Sequence, residues 1–443
     1  MKKYELYTIC PSLWNREFPS HWCVLPMYAV AKEKSICNCV DLPLLSVYLD
    51  VGVVPFSAKA EKRTNVTSKD LSKYQRVDFG DFVLNNQQAW RGSVGVSFDT
   101  GIVSPAYIVL STNDYLNSRY ANYLLRSRIM VDQYHINSKS VGSIQRNIYW
   151  PALKRTSVLI PPRGEQDQIV RFLDWKVSSI NRLIGVKQKQ IAALKEFMQA
   201  EIEKQLYAYP VEETVRLKQL GTFFKGGGFS RENLVEEEGC PAILYGDIYT
   251  QYEYKTAVIN HSIDGAAYSA SRKISKGDIV MAGTGETKDE IGKSILYTGD
   301  EIVAVGGDVI VFHPNEGINV EYLLYQLYSQ AALKHRYING KGDIIVHIYP
   351  TALGSTIIAF PGVEEQKKAV ARINEIINQV KKAIAVLADE ISVLREYRVR
   401  LIADTVTGEI DVRDIEIPEY EYVEETIDDN NEDCEEETKE QED

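Results

Sequence analysis

The sequence predicts an α+β fold: two globular domains with small mixed sheets, separated by two long helices that form an intramolecular antiparallel coiled coil. Three observations support this prediction. The 443-residue chain repeats itself at an offset close to 200 residues, each repeat ends in a long heptad pattern, and short β-rich runs precede each heptad pattern. A chain of this length accommodates roughly two to four domains of ordinary size.

The repeat is visible as pairs of similar segments. Residues 161–166 (PPRGEQ) return as 361–366 (PGVEEQ), and weaker similarities precede them: 79–84 with 276–281, 113–127 with 315–329, and 149–151 with 348–350. Each copy therefore comprises a globular domain followed by a long helix. The predicted boundaries are 1–161 for the first globular domain, 162–206 for the first helix, 207–361 for the second globular domain, 362–413 for the second helix, and 414–443 for an acidic tail.

Apolar residues on both long helices recur in alternating steps of four and three, which is the spacing of a coiled-coil seam. The first helix has Leu173, Val177, Ile180, Ile184, Ile191 and Leu194, and the second has Ile373, Ile377, Val380, Ile384, Leu387, Ile391 and Leu394. The two seams share one register, and a single basic residue interrupts each, Lys187 in the first and Arg398 in the second. Because matching seams can cover each other, we expect the helices to pair; packing of each helix on its own domain is the alternative.

Each globular half should combine a small sheet with helix. Residues 102–110 and 303–312 are β-rich runs bounded by turn residues, and a helical segment follows each of them, near 116–130 and 320–335. This order of elements is typical of an α+β domain.

The negative charge of the chain is concentrated at its C-terminal end. The net charge is −12, but residues 414–443 contain 16 acidic residues and one lysine, which leaves +3 on residues 1–413. A segment so rich in like charges is expected to be disordered and self-repelling. The rest of the chain can therefore present basic patches to an anionic partner.

Composition also bounds the compartment and the metal content. No stretch approaches the ~20 apolar residues that span a membrane, and the N-terminus lacks the apolar run of a secretion signal, so we expect a cytoplasmic protein. The six scattered cysteines fit reduced thiols. His21, Cys23, Cys37 and Cys39 could hold zinc, but their spacing is not that of a common zinc module, so we expect no metal site.

Loops in both halves carry residue types that read nucleic acid. Lysine and arginine neutralise phosphate, whereas asparagine, glutamine and arginine can form paired hydrogen bonds with base edges. The candidates are Lys59, Lys62, Arg63, Asn65, Lys73, Tyr74, Asn86, Gln87, Trp90 and Arg91 in the first half, and Lys225, Arg231, Tyr245, Arg272, Lys273, Thr287, Lys288 and Lys293 in the second. A basic loop is more often a solvated surface, so the prediction depends on two related domains that both carry such loops.

Two segments approach catalytic motifs without matching them. Residues 224–228 (FKGGG) are similar to the glycine turn of a methyl-donor site, but no clear strand–turn–helix unit accompanies them. Residues 287–294 (TKDEIGKS) end like a phosphate-binding loop, but Thr287 replaces its first glycine. The histidines show no metal-binding spacing. We therefore expect no catalytic site, although the members of a Ser-His-Asp triad need not be neighbours in sequence.

The two-fold layout resembles the specificity subunit of type I restriction–modification systems over nearly the whole chain except the tail. The resemblance depends on residues 161–174 (PPRGEQDQIVRFLD), 180–187 (INRLIGVK), 190–196 (QIAALKE), 103–107 (VSPAY) and 408–412 (GEIDV). The second helix departs from this pattern at residues 369–374 (AVARIN).

The resemblance implies that each globular half is a target-recognition domain that reads one half of a split double-stranded DNA site. It implies that the paired helices dock two methyltransferase (modification) subunits, which bind S-adenosylmethionine and carry out DNA methylation. A restriction or translocase subunit that uses ATP and magnesium can join them, whereas this chain would hold no cofactor and no catalytic residue. A helix of about 42 residues spans about 63 Å, so the helix pair would set the separation of the two readers.

Two alternatives stay open at this point. The chain could be a stand-alone DNA methyltransferase or nuclease with an unrecognised site, in which case the purified chain alone would methylate or cut DNA. It could instead be a coiled-coil scaffold without DNA binding, in which case it would show no salt-dependent binding to duplex DNA.

Overall fold

A computed structural model describes residues 2–49, 51–56, 70–141, 145–236, 239–343 and 345–424. The chain divides into two compact units, the first formed by Met1–Lys189 with Leu387–Asp443 and the second by Gln190–Val386. Each unit contains one globular half of the chain and one end of each long helix. None of the helices in the described ranges combines the length and the apolar composition of a membrane span.

The first unit is built from short strands and short helices. In chain order the strands are β1 (Tyr7–Cys10), β2 (Arg16–Pro19), β3 (Cys23–Pro26), β4 (Ala31–Lys34), β5 (Leu45–Tyr48), β6 (Gly52–Pro55), β7 (Gln75–Val77), β8 (Phe82–Asn85), β9 (Val94–Val96), β10 (Gly101–Val103), β11 (Tyr107–Thr112), β12 (Lys139–Val141), β13 (Gln145–Asn147) and β14 (Ser157–Ile160). The helices are α1 (Met27–Val30), α2 (Ser118–Leu125), α3 (Arg128–Asn137) and α4 (Trp150–Leu153), and the first long helix follows as α5 (Arg163–Leu206).

A four-stranded antiparallel sheet, in the order β4-β11-β8-β9, forms the centre of the first unit. The other strands pair two by two as β1-β2, β3-β14, β5-β6, β7-β10 and β12-β13. Valines from several of these strands, among them Val47, Val83 and Val109, pack into one core cluster. Fully buried Tyr120 of α2 donates its hydroxyl to the carbonyl of Leu159 in β14 at 3.1 Å, which fastens the helix to the β3-β14 pair.

The second unit follows the same plan with more strands in its sheets. The strands are β15 (Glu213–Arg216), β16 (Gly221–Lys225), β17 (Leu234–Val235), β18 (Cys240–Ile243), β19 (Lys255–Thr256), β20 (His261–Ile263), β21 (Arg272–Ile274), β22 (Ile279–Ala282), β23 (Thr284–Gly285), β24 (Ser294–Tyr297), β25 (Val303–Val305), β26 (Val309–Pro314), β27 (Val346–His347) and β28 (Ile357–Phe360). The helices are α6 (Tyr245–Thr250), α7 (Gly265–Ala270), α8 (Val320–Gln326), α9 (Gln330–Asn339) and α10 (Pro350–Leu353), and the second long helix follows as α11 (Val363–Val406).

Two five-stranded sheets form the centre of the second unit, in the orders β16-β26-β22-β24-β19 and β17-β20-β18-β25-β21, and the remaining strands pair as β15-β28 and β23-β27. Both five-stranded sheets are mixed, because β19 runs parallel to β24 and β18 runs parallel to β25, while the other pairs are antiparallel. The α+β class with small sheets, predicted from the β-rich runs, is therefore confirmed.

The central strands β8 and β22 begin from the same turn in the two units. Asp81 accepts a hydrogen bond from the backbone N–H of Asp78 at 2.8 Å, and Asp278 accepts one from Ser275 at 2.8 Å. A glycine with a positive φ precedes each aspartate, Gly80 in the first unit and Gly277 in the second. The similarity between residues 79–84 and 276–281 thus reflects one structural element used twice.

Two details differ from the sequence prediction. Residues 116–130 and 320–335 each contain two helices rather than one, because Ser127 and Ser329 adopt extended backbone angles and begin new helices, α3 and α9. Each predicted β run likewise contains two strands, β10 with β11 and β25 with β26.

The long helices pair in an antiparallel sense within the first unit. The ammonium of Lys187 lies 2.6 Å from the Glu390 carboxylate, and the Arg398 guanidinium donates to the side-chain oxygen of Asn181 at 2.7 Å. Residue numbers fall along α5 as they rise along α11, so the directions are opposite. The expectation that the helices zip together within the chain is confirmed.

Burial along the helices follows the predicted seam. Every predicted seam residue on both helices is buried or half-buried. In the second unit Ile202 and Leu206, from the end of α5, share one core cluster with Ile373 and Ile377 from the beginning of α11. The coiled-coil pattern therefore also carries each helix into the core of a globular half.

The second helix and the tail differ from the predicted boundaries. Helix α11 ends at Val406 rather than near 413, because Gly408 adopts a φ of +78° that terminates the helix. Residues 414–424 form no helix or strand but contact α5: the N–H of Val423 donates to Ser178 at 3.2 Å, and the Asn181 amide donates to the Val423 carbonyl at 3.1 Å. The expectation of disorder is wrong for residues 414–424, and residues 425–443 lie outside the described residues.

Candidate nucleic-acid interface

Four of the predicted residues in the first unit lie on the loop that follows β8. The carbonyl of Asn86 accepts a hydrogen bond from the backbone N–H of Ile148 at 3.0 Å, which ties the loop to the segment after β13. The Trp90 indole donates to the carbonyl of Gln87 at 2.9 Å, and the guanidinium of exposed Arg91 lies 5.3 Å from the centre of the Trp90 ring. The loop therefore holds an amide pair, an indole and an arginine in one place.

Residues that sequence reasoning missed complete this surface. His135 of α3 packs its ring against Trp90 at 5.7 Å, and Asn147 of β13 donates to the Tyr149 hydroxyl at 3.3 Å. The side-chain oxygens of Asn86 and Asn147 are buried and lack a hydrogen-bond partner in the described part of the chain. Buried acceptors without a partner are unfavourable for folding. The available signal for Asn147 was its place next to the repeated segment at 149–151.

The remaining predictions in the first unit separate from this loop. Lys73 and Tyr74 lie directly before β7, where the carbonyl of Lys73 accepts the Cys37 thiol at 3.6 Å. The side chain of Lys73 is exposed and can contact phosphate, but it does not belong to the loop after β8. Lys59, Lys62, Arg63 and Asn65 fall within residues 57–69, outside the described residues.

In the second unit, predicted cations gather around the glycine turn that follows β16. Exposed Lys225 ends the strand, and the guanidinium of Arg272 lies 5.8 Å from the ring centre of neighbouring Phe224. Lys273 donates to a backbone carbonyl two residues before it at 2.9 Å. A Cβ on Gly228 would lie 2.8 Å from the segment that leads to Arg272, so the turn and these cations are close together.

The glycine turn serves packing of the chain. A Cβ on Gly226 would lie 2.2 Å from the carbonyl oxygen of Gly306, so only glycine allows this approach. The turn leads into a short 3₁₀ helix, Arg231–Asn233, and not into the long helix that a nucleotide-binding turn opens. Arg231 is exposed at the start of that short helix, and Tyr245 is exposed at the start of α6.

The loop after β22 is the counterpart of the loop after β8. The N–H of Ile348 donates to the carbonyl of Gly283 at 2.9 Å, as Ile148 does to Asn86 in the first unit. The loop carries exposed Thr287, half-buried Lys288 and half-buried Lys293. Burial lowers the pKa of Lys293, which donates to a backbone carbonyl at 3.1 Å, so Thr287 and Lys288 are better placed to meet a ligand.

Metal-binding geometry does not accompany these loops. Across the ranges that the structure describes, no three histidine, cysteine or acidic side chains lie close enough to hold a metal ion. His21 instead hydrogen-bonds Glu165 at 2.8 Å, and the Cys37 thiol contacts the Lys73 carbonyl.

The two units share the backbone arrangement of this loop but differ in its side chains. In each unit a loop leaves the central strand and is held by the same backbone hydrogen bond. One loop presents amides, an indole and an arginine, and the other presents threonine and lysine beside three exposed acidic residues. Amide, hydroxyl, indole and cationic side chains of these kinds are those that contact bases and phosphates of nucleic acids.

A family model described as the type I restriction modification DNA specificity domain matches residues 32–195 and residues 211–387, which together are well over half of the chain. The chain belongs to the type I restriction–modification specificity family. The specificity subunit is the DNA-recognition component of a type I restriction–modification enzyme and is not its catalytic component.

A solved structure with a TM-score above 0.5 agrees with this fold. A chain from a study of complex assembly and conformational transition of the type I R-M system matches with a TM-score of 0.62 at 15% identity, covering 89% of this chain and 100% of that chain. The HsdS subunit from Thermoanaerobacter tengcongensis matches with a TM-score of 0.43 at 15% identity, covering 89% and 98% of the two chains. The S subunit from M. genitalium gives 0.34 at 15% identity, covering 88% and 97%. The search of curated proteins by sequence found no match.

The two family matches coincide with the two repeats of the specificity subunit. The first ends within α5 and the second within α11, so each match includes one globular half and part of the long helix that follows it. The β1-β2 hairpin precedes the first match and therefore lies outside the repeated domain.

Proposed function

We propose that the specificity subunit reads a bipartite double-stranded DNA site, one half with each unit, through the loops that follow β8 and β22. The observation that carries the proposal is the equivalent anchoring of two loops whose side chains differ, since Ile148 and Ile348 make the same backbone bond in the two units. A single half-site read twice would require similar side chains on both loops. Different side chains favour two different half-sites.

Exposed cations on both units would supply the affinity for phosphate. Arg91 and Lys73 are exposed in the first unit, and Lys225 and Arg272 are exposed in the second. Phosphate contacts position a protein on DNA without reading its sequence, and their strength falls as salt rises. We therefore propose that these residues orient the units while the amide and hydroxyl side chains contact the bases.

The same proposal assigns a docking role to the long helices. In the first unit each helix exposes apolar residues outside the seam, Leu183 and Val186 on α5 and Val393 and Tyr397 on α11. They recur at steps of three and four, the spacing of a helix face that packs against a partner helix. Glu390, three residues before Val393, reaches the seam, so this face borders the seam on α11.

The second unit repeats this feature with exposed Phe197 on α5 and exposed Val386 on α11. A large apolar side chain held in solvent at repeated positions indicates an interaction surface. We propose that helices of two methyltransferase subunits dock on these faces, one on each unit. Those subunits would bind S-adenosylmethionine, a restriction or translocase subunit using ATP and magnesium could join, and the assembly would act in the cytoplasm.

The test is co-expression of the chain with the modification subunit of its own system, followed by methylome sequencing. We expect methylated adenine at one motif made of two half-sites separated by a constant spacer, and no methylation from the chain alone. In mobility-shift experiments the complex should bind duplex DNA less tightly as salt rises. A continuous motif, or methylation by the isolated chain, would contradict the proposal.

A further inference from the structure

Arg336 of α9 is a buried cation without an anionic partner. It is 4% exposed, and in the described residues no carboxylate lies within salt-bridge distance of its guanidinium. One guanidinium nitrogen donates to the carbonyl of Gly292 at 2.9 Å and to the Ser294 hydroxyl at 3.4 Å, while its Nε has no partner. Burial lowers the pKa of Arg336. The Tyr328 ring, centred 5.9 Å from the guanidinium carbon, partly offsets this burial. A buried cation without a carboxylate is still unfavourable for folding alone, which calls for another explanation.

The groups that Arg336 contacts belong to the end of the loop after β22. Gly292 has a φ of +73°, and a Cβ there would lie 2.7 Å from the Cδ atom of Arg336, so the arginine packs directly beneath the loop. The beginning of the loop is held at the other side, where Thr284 hydrogen-bonds His347 at 3.0 Å. The segment between these two anchors includes Thr287 and Lys288. Arg336 is thus one of the two supports that set their position.

The charge of Arg336 also complements the loop above it. Residues 286–293 contain three acidic and two basic side chains, so the loop alone is negative. An acidic loop opposes a phosphate backbone, and a positive charge beneath it offsets that repulsion. The offset is strongest where water is excluded, which is the environment that Arg336 occupies.

The first unit shows that the fold does not require a cation at this position. Helices α3 and α9 end in similar sequences, YHIN at 134–137 and RYIN at 336–339. Tyr134 is therefore the residue of the first repeat that is equivalent to Arg336. Tyr134 is fully buried and donates its hydroxyl to the carbonyl of Leu125 at 3.0 Å. A neutral side chain therefore occupies the equivalent helix position in the unit whose loop presents amides and an indole.

We propose that Arg336 is a positioning residue that determines the specificity of the second half-site, by fixing the loop at 283–294 so that Thr287 and Lys288 meet the bases. This inference depends on the proposed reading of a bipartite site. It goes further in assigning one buried residue to one half-site.

The experiment compares methylomes of cells that express the modification subunit with wild-type chain, Arg336→Met, Arg336→Lys or Tyr134→Phe. We expect Arg336→Met to relax at least one base position in one half-site, with tenfold or more methylation at sites that the wild type ignores, and to leave the other half unchanged. Arg336→Lys keeps the charge but is shorter and lacks the planar guanidinium, so it should give a smaller relaxation. Tyr134→Phe is the matched control and should not relax the half-site affected by Arg336→Met.

Two further variants assign the half-sites and protect the test against misfolding. Gln87→Ala should relax the opposite half, which identifies the half read by the first unit. A double variant, Thr287→Ala with Lys288→Ala, leaves Arg336 in place and should relax the same half as Arg336→Met. If Arg336→Met fails to fold, relaxation by the double variant and a smaller relaxation by Arg336→Lys support the inference.

The outcomes separate this inference from the proposed function. Strict recognition of both halves by folded Arg336→Met would overturn the inference while the bipartite site stands, whatever the double variant does. An equal loss of methylation at all sites, with a lower melting temperature, would show that Arg336 serves only the core. A wild-type motif that is not bipartite would instead overturn the proposed function.

Discussion

Two leucines on α5 allow the seam and the docking face to be separated by one pair of substitutions. Leu173 lies in the seam and is 0% exposed, whereas Leu183 lies outside it and is 51% exposed, and both belong to the first unit. We predict that Leu173→Ala destabilises the first unit strongly and that Leu183→Ala does so weakly. The substitution removes the same atoms from the same helix in both variants, so the difference reports burial.

The magnitudes follow from the burial of each side chain. Removing three buried carbons costs about 0.8 kcal/mol each, and the cavity left at Leu173 adds to this, for a total of about 3 kcal/mol. At half-exposed Leu183 the expected loss is about 0.5–1 kcal/mol. For a unit of this size each kcal/mol lowers the melting temperature by roughly 2–4 °C, so Leu173→Ala should lower it by roughly 6–12 °C.

Tryptophan fluorescence can follow the first unit alone, because every tryptophan of the chain lies in residues 1–189: Trp14, Trp22, Trp90, Trp150 and Trp175. Equal melting shifts for the two variants, or a larger one for Leu183→Ala, would refute the assignment of the seam. Leu183→Ala should instead weaken binding of the modification subunit, by about fivefold for a loss of about 1 kcal/mol. Titration calorimetry of the folded variant would measure its affinity for the modification subunit. An affinity equal to that of the wild type would count against the docking face.

Three other predictions follow from the first unit and its tail. Asp411 accepts hydrogen bonds from Arg413 (2.8 Å), which hold the pKa of its carboxyl below the ordinary 3.8. The stabilisation from this pair is complete above about pH 4 and is lost as the pH falls through the folded-state pKa. Asp411→Asn should therefore show less acid destabilisation than wild type in fluorescence melts. Truncation after Glu424 should leave the melting temperature and the methylated motif unchanged. Truncation after Arg413 should lower the melting temperature, because it removes the contacts of Val423 with α5. Identical melting temperatures for the two truncated chains would contradict this. Insertion of one helical turn into α5 should lengthen the spacer of the methylated motif, and an unaltered motif would count against the helices as the spacing element.

The long helices could be predicted because the seam is a local pattern that the sequence displays directly. The positions of the two basic residues in the seam could be predicted, but their hydrogen-bond partners could not, because those partners lie on the other helix. Lys187 reaches Glu390, and Arg398 bonds Asn181, so each basic residue in the seam has a matched polar group beside it. A polar group in a coiled-coil seam is tolerated where such a partner satisfies it.

Composition misled the prediction of the tail because it averages over positions. Residues 414–424 are acidic, yet Ile415, Ile417 and Val423 within them are half-buried. An apolar residue every few positions can hold an acidic segment against a helix, and the net charge of the whole segment hides this. The contacts of Val423 with α5 are with polar side chains, which no hydrophobic period reveals.

The candidate reading residues could be chosen by type but not grouped by place. Asn86 through Arg91 are neighbours in sequence and stay together, whereas Lys73 belongs to another edge of the unit. Arg336 was missed because a lysine or arginine in a helix is normally solvated. The pattern did contain a signal, since Ala332 and Arg336 are four residues apart on one buried face of α9.

The repeat explains why structure and specificity can change independently in this chain. The backbone turn before the central strand, and the bond from Ile148 or Ile348 to the loop after it, are the same in both units and depend little on the loop side chains. Side chains on the loop can then vary without cost to the frame, because they project from a backbone that is already satisfied. Arg336 is the exception that shows the limit of this independence: a loop with more acidic than basic residues is accompanied by a change beneath it, in a position where the other unit keeps tyrosine. A half-site is therefore specified by a loop together with its support, and replacing the loop alone would leave the support mismatched.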